Sequence, residues 1–220
     1  MRPVFTAADL EKIASGGEVV VTQDALITPL AREEAERRNI SFRIERRTND
    51  STENPHGSSI QDHLEAASTT HTVAIGSDHG GYELKEQLKL YLREWNYRVL
   101  DLGTDSAAAV DYPDFAEAVA LAVVERKAWR GITIDSAGIG SSIAANKVPG
   151  ARAALCYDRA TARNSREHND ANVLSLGARL LAPETAREIL AVWLETPFAG
   201  GRHQRRVDKI IAIERRFGKS

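Results

Sequence analysis

Short apolar runs alternate with longer amphipathic stretches from residue 72 to the C-terminus. The apolar runs predict strands, because they are rich in aliphatic and β-branched residues and are too short for helices. They lie at residues 72–76, 98–101, 131–135, 152–156 and 172–175. Helices are predicted near residues 81–95, 112–128, 140–147, 159–167, 183–194 and 204–216. This alternation indicates an α/β fold, with a five-stranded parallel sheet covered by helices on both faces.

A smaller pattern of the same kind fills residues 1–46, which we expect to form a small N-terminal α/β module. Its predicted elements are strands at 18–22 and 41–45 and helices at 7–14 and 29–38. Thr6 suits the cap of the first helix, and Pro29 suits the first turn of the second. So short a chain buries little apolar surface, and we therefore expect the module to dock against another surface.

Residues 47–71 interrupt the hydrophobic pattern and predict a linker between this module and a domain at residues 72–220. The stretch is mostly Asn, Ser, Thr, Glu, Asp and His, and it contains Pro55 and Gly57. Such a composition cannot bury enough apolar surface to offset the entropy lost on ordering. A short helical turn is predicted within it at residues 60–67.

Composition and charge exclude several classes of function. The chain is 42% hydrophobic and 27% charged, with a formal net charge of -2, so no bulk attraction to nucleic acid or to an anionic membrane is expected. No apolar run approaches the roughly 20 residues that span a bilayer. The single cysteine, Cys156, excludes an intramolecular disulfide and a Cys-rich metal site, and it favours a cytoplasmic protein.

The most informative local feature is the segment GITIDSAGIGSSIAANKVPG at residues 131–150. An apolar run ends in Asp135, a loop with Gly138 and Gly140 follows, and a helix then begins. Backbone N–H groups in such a loop and at a helix start lack internal partners, so they can bind an anion. The alternative is a tight strand-to-helix turn, although Ser141 and the neighbouring serines add polar groups suited to a ligand.

Other polar residues lie at predicted strand ends and helix starts, where a ligand can also bind. Asp78 and His79 come after the first predicted strand of the larger domain, where ligands bind in open α/β sheets. The alternative is that Asp78 caps the next helix and His79 is a solvated loop residue. Tyr112 lies at a helix start that capping alone explains, and it is a candidate pocket residue.

Two further clusters lie towards the C-terminus. His168 can serve as general acid or base, because the imidazole pKa lies near neutrality, or it can be an ordinary residue of a polar helix end. Arg202 and Arg206 lie one turn apart if a helix starts near His203. They suit a phosphate monoester, and the alternative is a basic solvated helix face.

Together these segments resemble one known family. The motifs SDHGG, DYPDFA, SIAANKVPG, ARAALCYD, SREHNDANVLSLGAR and GGRHQRRV occur in that order between about residues 72 and 216. They resemble the ribose-5-phosphate isomerase B / galactose-6-phosphate isomerase family. The resemblance implies a Rossmann-like three-layer fold and aldose–ketose isomerisation of a sugar phosphate without metal or organic cofactor. It also implies a homodimer or homotetramer whose active sites contain residues of two subunits.

The resemblance assigns roles to particular residues. Asp78 and His79 would contact the sugar, His168 would assist ring opening, and Asn169 would hold a hydroxyl or the enediolate. Arg202 and Arg206 would hold the phosphate. Arg179 would be a contribution from the partner subunit. The loop amides assigned to the enediolate belong to Ser136, Ala137, Gly138, Ile139 and Gly140.

The chain departs from the family pattern at the catalytic base. Many members carry a cysteine at the position of Asp135, and another branch uses a glutamate at the position of Ser141. Ala137 replaces a threonine that is common in the cysteine branch. One subunit type of the galactose-6-phosphate isomerases similarly has an aspartate at the strand end. Either Asp135 replaces the usual base, or the site is inactive or serves another purpose; Cys156 is expected to be a core residue instead.

The N-terminal module carries a second, brief resemblance. Residues 27–40 resemble a short module of proteins from bacterial microcompartment operons. The module is either a docking appendage or a segment that recruits a shell or another partner. Three hypotheses follow for the whole chain: a cytoplasmic isomerase, a non-catalytic sugar-phosphate binder or partner subunit, and a recruitment protein acting through residues 1–46.

Overall fold

The computed structural model describes residues 4–11, 13–22, 25–45 and 71–218. The chain forms two compact units, Met1–Thr69 and Thr70–Ser220. The linker predicted at residues 47–71, with its helical turn at 60–67, lies outside the described residues except for His71.

The smaller unit is built from two pairs of parallel strands and two helices. Its elements are β1 (Val4–Phe5), α1 (Ala7–Leu10), β2 (Glu18–Thr22), β3 (Leu26–Ile27), α2 (Pro29–Arg37) and β4 (Ser41–Glu45). Strand β1 pairs with β3, and β2 pairs with β4. The predicted strands at 18–22 and 41–45 are confirmed. The two-residue strands were not predicted, because they are too short to produce a periodic pattern.

Helix α1 ends at Leu10, before the predicted residue 14. The backbone carbonyl of Leu10 accepts a hydrogen bond of 2.7 Å from the guanidinium of Arg38, which also donates to the carbonyl of Ile13. A side chain from the end of α2 thus satisfies carbonyls that a longer helix would have used. Thr28 caps α2, because its hydroxyl accepts a hydrogen bond of 3.3 Å from the N–H of Ala31.

The larger unit contains a five-stranded parallel sheet, as predicted, and the structure gives its strand order as β6-β5-β7-β9-β8. Its strands are β5 (Thr72–Ser77), β6 (Arg98–Asp101), β7 (Arg130–Asp135), β8 (Ala153–Leu155) and β9 (Val173–Gly177). Its helices are α3 (Tyr82–Glu94), α4 (Tyr112–Val124), α5 (Ile139–Ala145), α6 (Arg159–Asn169), α7 (Pro183–Glu195) and α8 (Gln204–Phe217). Helices cover both faces of the sheet, which gives the expected three layers.

In the larger unit the predicted boundaries hold to within two residues, except at the end of α4. This helix ends at Val124 rather than at residue 128. Arg126 adopts a φ of 61°, in the left-handed region that breaks an α-helix. The N–H groups of Glu125 and Arg126 then donate to the carbonyls of Leu121 and Val123, which closes the last turn.

The strand direction defines two edges of the sheet. Strands β5, β7 and β9 end side by side at the carboxyl edge, where Asp135 pairs with Gly177. The opposite, amino edge is where these strands begin. Helix α6 follows β8 and precedes β9, so it starts near the carboxyl edge and ends near the amino edge. Its last turn is held there, since Arg152, just before β8, donates to the carbonyl of Asp170 at 2.9 Å.

A buried arginine fastens the amino edge. Arg130, the first residue of β7, is 5% exposed and donates to the carbonyls of Trp193 at 2.6 Å, Leu194 at 2.8 Å and Thr196 at 3.3 Å. Burial lowers the pKa of the Arg130 guanidinium, and the nearby Arg166 lowers it further. The three carbonyls offset this desolvation and fix the end of α7 to the sheet.

We expect Arg130→Met to lower the free energy of unfolding by at least about 2 kcal/mol, because buried carbonyls at the end of α7 lose their donor. Urea unfolding followed by tryptophan fluorescence measures this, since Trp95, Trp129 and Trp193 all lie in the larger unit. Arg98→Met, at the exposed start of β6, is the control and should change stability by less than about 0.5 kcal/mol. Equal effects of the two substitutions would contradict this role of Arg130.

Candidate active site

Backbone hydrogen bonds join the ends of the central strands at the carboxyl edge. The N–H of Asp78 donates to the carbonyl of Ile134 at 3.3 Å. The N–H of Ala178 donates to the carbonyl of Asp135 at 2.8 Å, and that of Arg179 donates to the carbonyl of Ser136 at 3.0 Å. The structure therefore brings Asp78, Asp135 and the following loop together, as expected from their positions after parallel strands, and it places the backbone of Arg179 beside the same loop.

The carboxylate of Asp135 is bound by its own loop. It is 5% exposed, and its Oδ1 accepts hydrogen bonds from the N–H of Ala137 at 2.8 Å and from the N–H of Gly138. Its Oδ2 accepts one hydrogen bond, from the N–H of Ser141 at 2.8 Å. The side chain thus occupies donors of the loop and of the first turn of α5, and Oδ2 keeps one acceptor position.

This arrangement bears directly on the anion site predicted from the sequence. The resemblance assigns the loop amides to a substrate oxyanion, yet the amides of Ala137 and Gly138 already donate to Asp135. A ligand oxygen would have to compete with an internal carboxylate for the same two donors. The loop is suited to bind an anion, and in this chain the anion that it binds is the carboxylate of Asp135.

The two loop glycines are required by close packing. Gly138 has a φ of 76°, and a Cβ there would lie 2.6 Å from Leu155 Cδ1 and 2.7 Å from the backbone carbon of Leu176. A Cβ on Gly140 would lie 2.5 Å from the ring of Tyr112. Tyr112 therefore packs against the start of α5, beside the exposed side chain of Ile139.

Tyr157 is a neighbour of the loop that the sequence interpretation missed. Its hydroxyl donates to the carbonyl of Ala137 at 3.3 Å. Tyr157 follows β8, and its position just after a parallel strand was the available signal, because such residues gather at the carboxyl edge. It covers the outer side of the loop that holds Asp135.

Asp78 and His79 organise the turn after β5. Asp78 is 6% exposed, and its Oδ1 accepts a hydrogen bond of 3.0 Å from the N–H of Gly81, at the start of α3. The exposed His79 places its Nδ1 3.1 Å from the carbonyl oxygen of Val110, and the N–H of Val110 lies 3.3 Å from the same nitrogen. His79 thereby joins this turn to the loop that leads to Tyr112.

A second cluster lies at the amino edge, around the last turn of α6. The rings of His168 and His203 are stacked, with centroids 4.1 Å apart and planes 4° apart. The Nδ1 of His168 lies 2.8 Å from Asn164 Nδ2. Asn169, next along the helix, is exposed, and its side-chain amide lies 3.5 Å from the carbonyl of Asn164.

His203 was not among the candidates chosen from the sequence, although it lies in the motif GGRHQRRV. It is 7% exposed and directly precedes α8, and its Nε2 accepts a hydrogen bond of 3.3 Å from Arg202 Nε. Burial lowers the pKa of His203, and the neighbouring charges of His168, Arg202 and Arg206 lower it further. Arg202 lies two residues before α8 and Arg206 lies in its first turn, and both are exposed.

The two clusters lie at opposite edges of the sheet. Strand β7 runs from Arg130 at the amino edge to Asp135 at the carboxyl edge, which is about 17 Å at 3.3 Å per residue. His168 and Asn169 are in the last turn of α6, and Arg202 is adjacent to that turn through His203. Within one chain, the described structure therefore does not bring His168, Asn169, Arg202 or Arg206 to Asp135.

Cys156 is a core residue, as expected. It is fully buried, and its Sγ lies 3.8 Å from the carbonyl of Ala154 and 3.9 Å from Ser165 Oγ. Burial raises the pKa of the thiol to about 11, so it holds its proton near neutral pH.

Within residues 4–11, 13–22, 25–45 and 71–218, no group of three or more His, Cys, Asp or Glu side chains is arranged to hold a metal ion. Over those residues, no helix combines the length and apolar character needed to cross a membrane.

Comparisons with known proteins cover the larger unit. The family described as Ribose/Galactose Isomerase matches residues 73–210. Ribose-5-phosphate isomerase B of Escherichia coli is 46% identical over 144 residues, which are 66% of this chain and 97% of that protein. A solved structure of ribose-5-phosphate isomerase B from Clostridium thermocellum is 51% identical, with a TM-score of 0.66, and covers 66% of this chain and 99% of its own.

A further solved structure carries a ligand. The ribose-5-phosphate isomerase B of Mycoplasma genitalium, with bound ribulose-5-phosphate, is 42% identical and has a TM-score of 0.63. It covers 66% of this chain and 96% of its own length. The family match begins at residue 73, so it does not include the smaller unit.

We expect Gly138→Ala to lower the free energy of unfolding by at least about 2 kcal/mol more than Gly200→Ala. Both glycines have positive φ, 76° and 61°, but a Cβ on Gly200 meets nothing within 4 Å. The difference between the two variants therefore isolates the packing of the loop from the cost of its backbone conformation. Urea unfolding measures it, and equal losses would show that close packing does not shape the loop.

Proposed function

The chain belongs to the ribose/galactose isomerase family, and on that basis we propose that it interconverts ribose 5-phosphate and ribulose 5-phosphate or a closely related pair. Relatives named ribose-5-phosphate isomerase B match the larger unit along nearly their whole length. The relative with bound ribulose-5-phosphate supports a ketose phosphate as ligand of the corresponding surface. A sugar phosphate is the substrate class of the family, and the particular sugar is our proposal.

The reaction is a proton shift beside a carbonyl. A base takes the proton from C2 of the open-chain aldose and a cis-enediolate forms. A proton then returns to C1 while the C2 hydroxyl proton passes overall to O1, so no electrons leave the substrate. We assign the base to Asp135 through Oδ2, which accepts one hydrogen bond and retains one acceptor position at the edge where ligands bind. This remaining acceptor is the observation that carries the catalytic assignment.

Fewer N–H donors remain for the enediolate than in a loop whose amides bind no side chain. Preorganised N–H groups aimed at a developing oxyanion supply a large part of the catalysis in such reactions. Here the amides of Ala137 and Gly138 donate to Asp135, which leaves Ser136 and the amides of Ile139 and Gly140 as candidates. Turnover is therefore expected to be slow for this family.

The separation of the two clusters supports a site shared between two copies of the chain. One copy supplies Asp78, His79, Tyr112, Asp135 and the loop at residues 136–140. The second copy supplies the amino-edge residues, namely His168, Asn169, Arg202 and Arg206. Two guanidiniums suit the phosphate dianion, and His168 and Asn169 suit the sugar hydroxyls. Arg179 is exposed beside the loop of the first copy, and it stays a predicted phosphate contact across from Arg202 and Arg206, which the partner copy supplies.

A second candidate function is sugar-phosphate binding without turnover, as a partner subunit or a binding protein. The observation that favours it is the internal carboxylate in the loop, which occupies two donors that an enediolate would need. Recruitment through residues 1–46, to a microcompartment or to another partner, stays a prediction for the smaller unit.

A shared site predicts complementation between two inactive variants. Asp135→Asn and His168→Gln damage opposite edges, so a mixed dimer has one intact site and one doubly damaged site. Random mixing makes about half the dimers mixed, and the activity should therefore recover to about one quarter of wild type. Equal amounts are refolded together, and the conversion of ribose 5-phosphate to ribulose 5-phosphate is measured.

The matched control mixes Asp135→Asn with Asp78→Asn. Both substitutions affect the carboxyl edge, so each site of the mixed dimer is damaged and no activity should return. Recovery in both mixtures, or in neither when wild type is active, would contradict the sharing of the site.

The base assignment predicts that Asp135→Asn lowers kcat by at least about 100-fold, because the amide cannot accept the C2 proton. Asp135→Cys should retain turnover, since a thiolate can act as base and its substitution frees the amides of Ala137 and Gly138. Asp105→Asn, at an exposed carboxylate, is the charge-matched control and should leave kcat unchanged.

Two outcomes of this series would redirect the proposal. Unchanged turnover in Asp135→Asn would exclude Asp135 as the base. A wild-type chain that binds ribose 5-phosphate saturably without turnover, and loses that binding in Arg202→Ala and Arg206→Ala, would establish the non-catalytic alternative. Isothermal titration measures the binding in each variant.

A further inference from the structure

His168 is a half-buried polar side chain at the amino edge, and two contacts hold its ring. Its ring stacks on His203, and its Nδ1 lies 2.8 Å from the side-chain amide nitrogen of Asn164, one turn earlier on α6. Residues four apart on a helix lie on the same face, so this contact is built into α6 itself. The capping box of Asp158 and Thr161 fixes the start of the same helix.

The chemistry of an amide nitrogen decides which proton His168 carries. Asn164 Nδ2 has two hydrogens and donates only, so the His168 Nδ1 that it contacts must accept and carry no proton. A neutral imidazole has one N–H, which then lies on Nε2. We propose that Asn164 is a positioning residue, which holds His168 in the neutral tautomer with the proton on Nε2.

His203, which stacks on the ring of His168, is also consistent with a neutral His168 that carries its proton on Nε2. Its Nε2 accepts from Arg202, which puts its own proton on Nδ1 when the ring is neutral. That Nδ1 is buried and has no hydrogen-bond partner among the described residues. Burial lowers the pKa of His203, and the charges of Arg202 and Arg206 lower it further, which favours the neutral form of the ring that stacks on His168.

The Nε2–H of His168 is left available to a ligand. The closest carboxylate is that of Glu167, whose Oε1 lies 3.8 Å from Nε2, beyond hydrogen-bond distance. The other charged groups near the stack are Arg202 and Arg206, on the side of His203. Among the described residues, no hydrogen bond within 3.5 Å uses the Nε2–H of His168.

The consequence for catalysis rests on the proposed function. With its proton on Nε2, His168 can act in that reaction as a hydrogen-bond donor. Ring opening moves one proton overall from the C1 hydroxyl to the ring oxygen, so a group that donates a hydrogen bond to the ring oxygen need not lose its own proton. A neutral Nε2–H can polarise that oxygen in this way. His168 is then a hydrogen-bond donor and not the base that takes the hydroxyl proton.

Nitrogen NMR of the full chain labelled with ¹⁵N-histidine tests the tautomer without any turnover. Signals of His168 are identified by their loss in His168→Gln. In wild type we expect an unprotonated Nδ1 and a protonated Nε2 at a pH where the ring is neutral. Asn164→Asp replaces the donor by a group that only accepts, so the proton should move to Nδ1. A protonated Nδ1 in wild type, or an unchanged tautomer in Asn164→Asp, would overturn the proposal.

Kinetics give the second measurement. Asn164→Asp should lower kcat at least about 10-fold and change KM by less than about threefold, because the donor is lost while the phosphate contacts remain. Ala160→Asp adds the same charge one turn earlier on α6, about 12 Å along the helix from His168, and should change neither constant. An equal loss of kcat in Ala160→Asp would assign the effect to charge and overturn the role of Asn164.

The two measurements separate failure of this inference from failure of the proposed function. A chain without turnover that still shows the wild-type tautomer and its reversal in Asn164→Asp would retain the inference and reject the isomerase. Turnover together with the opposite tautomer would retain the isomerase and reject the inference.

Discussion

Parallel strands force each connecting helix to carry the chain back across the sheet, and most features of the larger unit depend on this. Residues that follow strands gather at the carboxyl edge, whereas residues that end helices gather at the amino edge. Asp78, Asp135 and the glycine loop belong to the first group, and His168, Asn169 and the residues before α8 belong to the second. A chain that uses both groups for one reaction needs a second copy of itself.

The loop after β7 shows how one substitution changes a site whose backbone stays suited to anions. The glycines, the left-handed φ of Gly138 and the start of α5 direct N–H groups to one point. Asp135 places its carboxylate at that point and is bound by three of these groups. The loop N–H groups that bind the proposed base are the same groups that would stabilise the enediolate. The stability of the loop and the rate of the reaction therefore depend on the same donors.

Several parts of this structure were predictable from local chemistry. The five strands of the large sheet follow from short apolar runs, and the starts of α2, α4 and α7 follow from their early prolines. Asp78, His79, Asp135 and the glycine loop were found from their place after strands, whereas Asn169 and Arg179 were named only through the family resemblance. Weak local signals were missed: the two-residue strands β1 and β3 have no periodicity, and the end of α4 depends on the backbone conformation of Arg126.

The sequence by itself determined the α/β class, the order of the elements, the family motifs and the missing cysteine at position 135, because these depend on residue types and their spacing. Only the tertiary structure decided which hydrogen bonds bind Asp135, that His203 stacks on His168, and that the two clusters lie at opposite ends of β7, a strand about 17 Å long. These facts depend on contacts between residues far apart in the chain. No local pattern encodes them, because the same residue types would fit other pairings until the sheet fixes their positions.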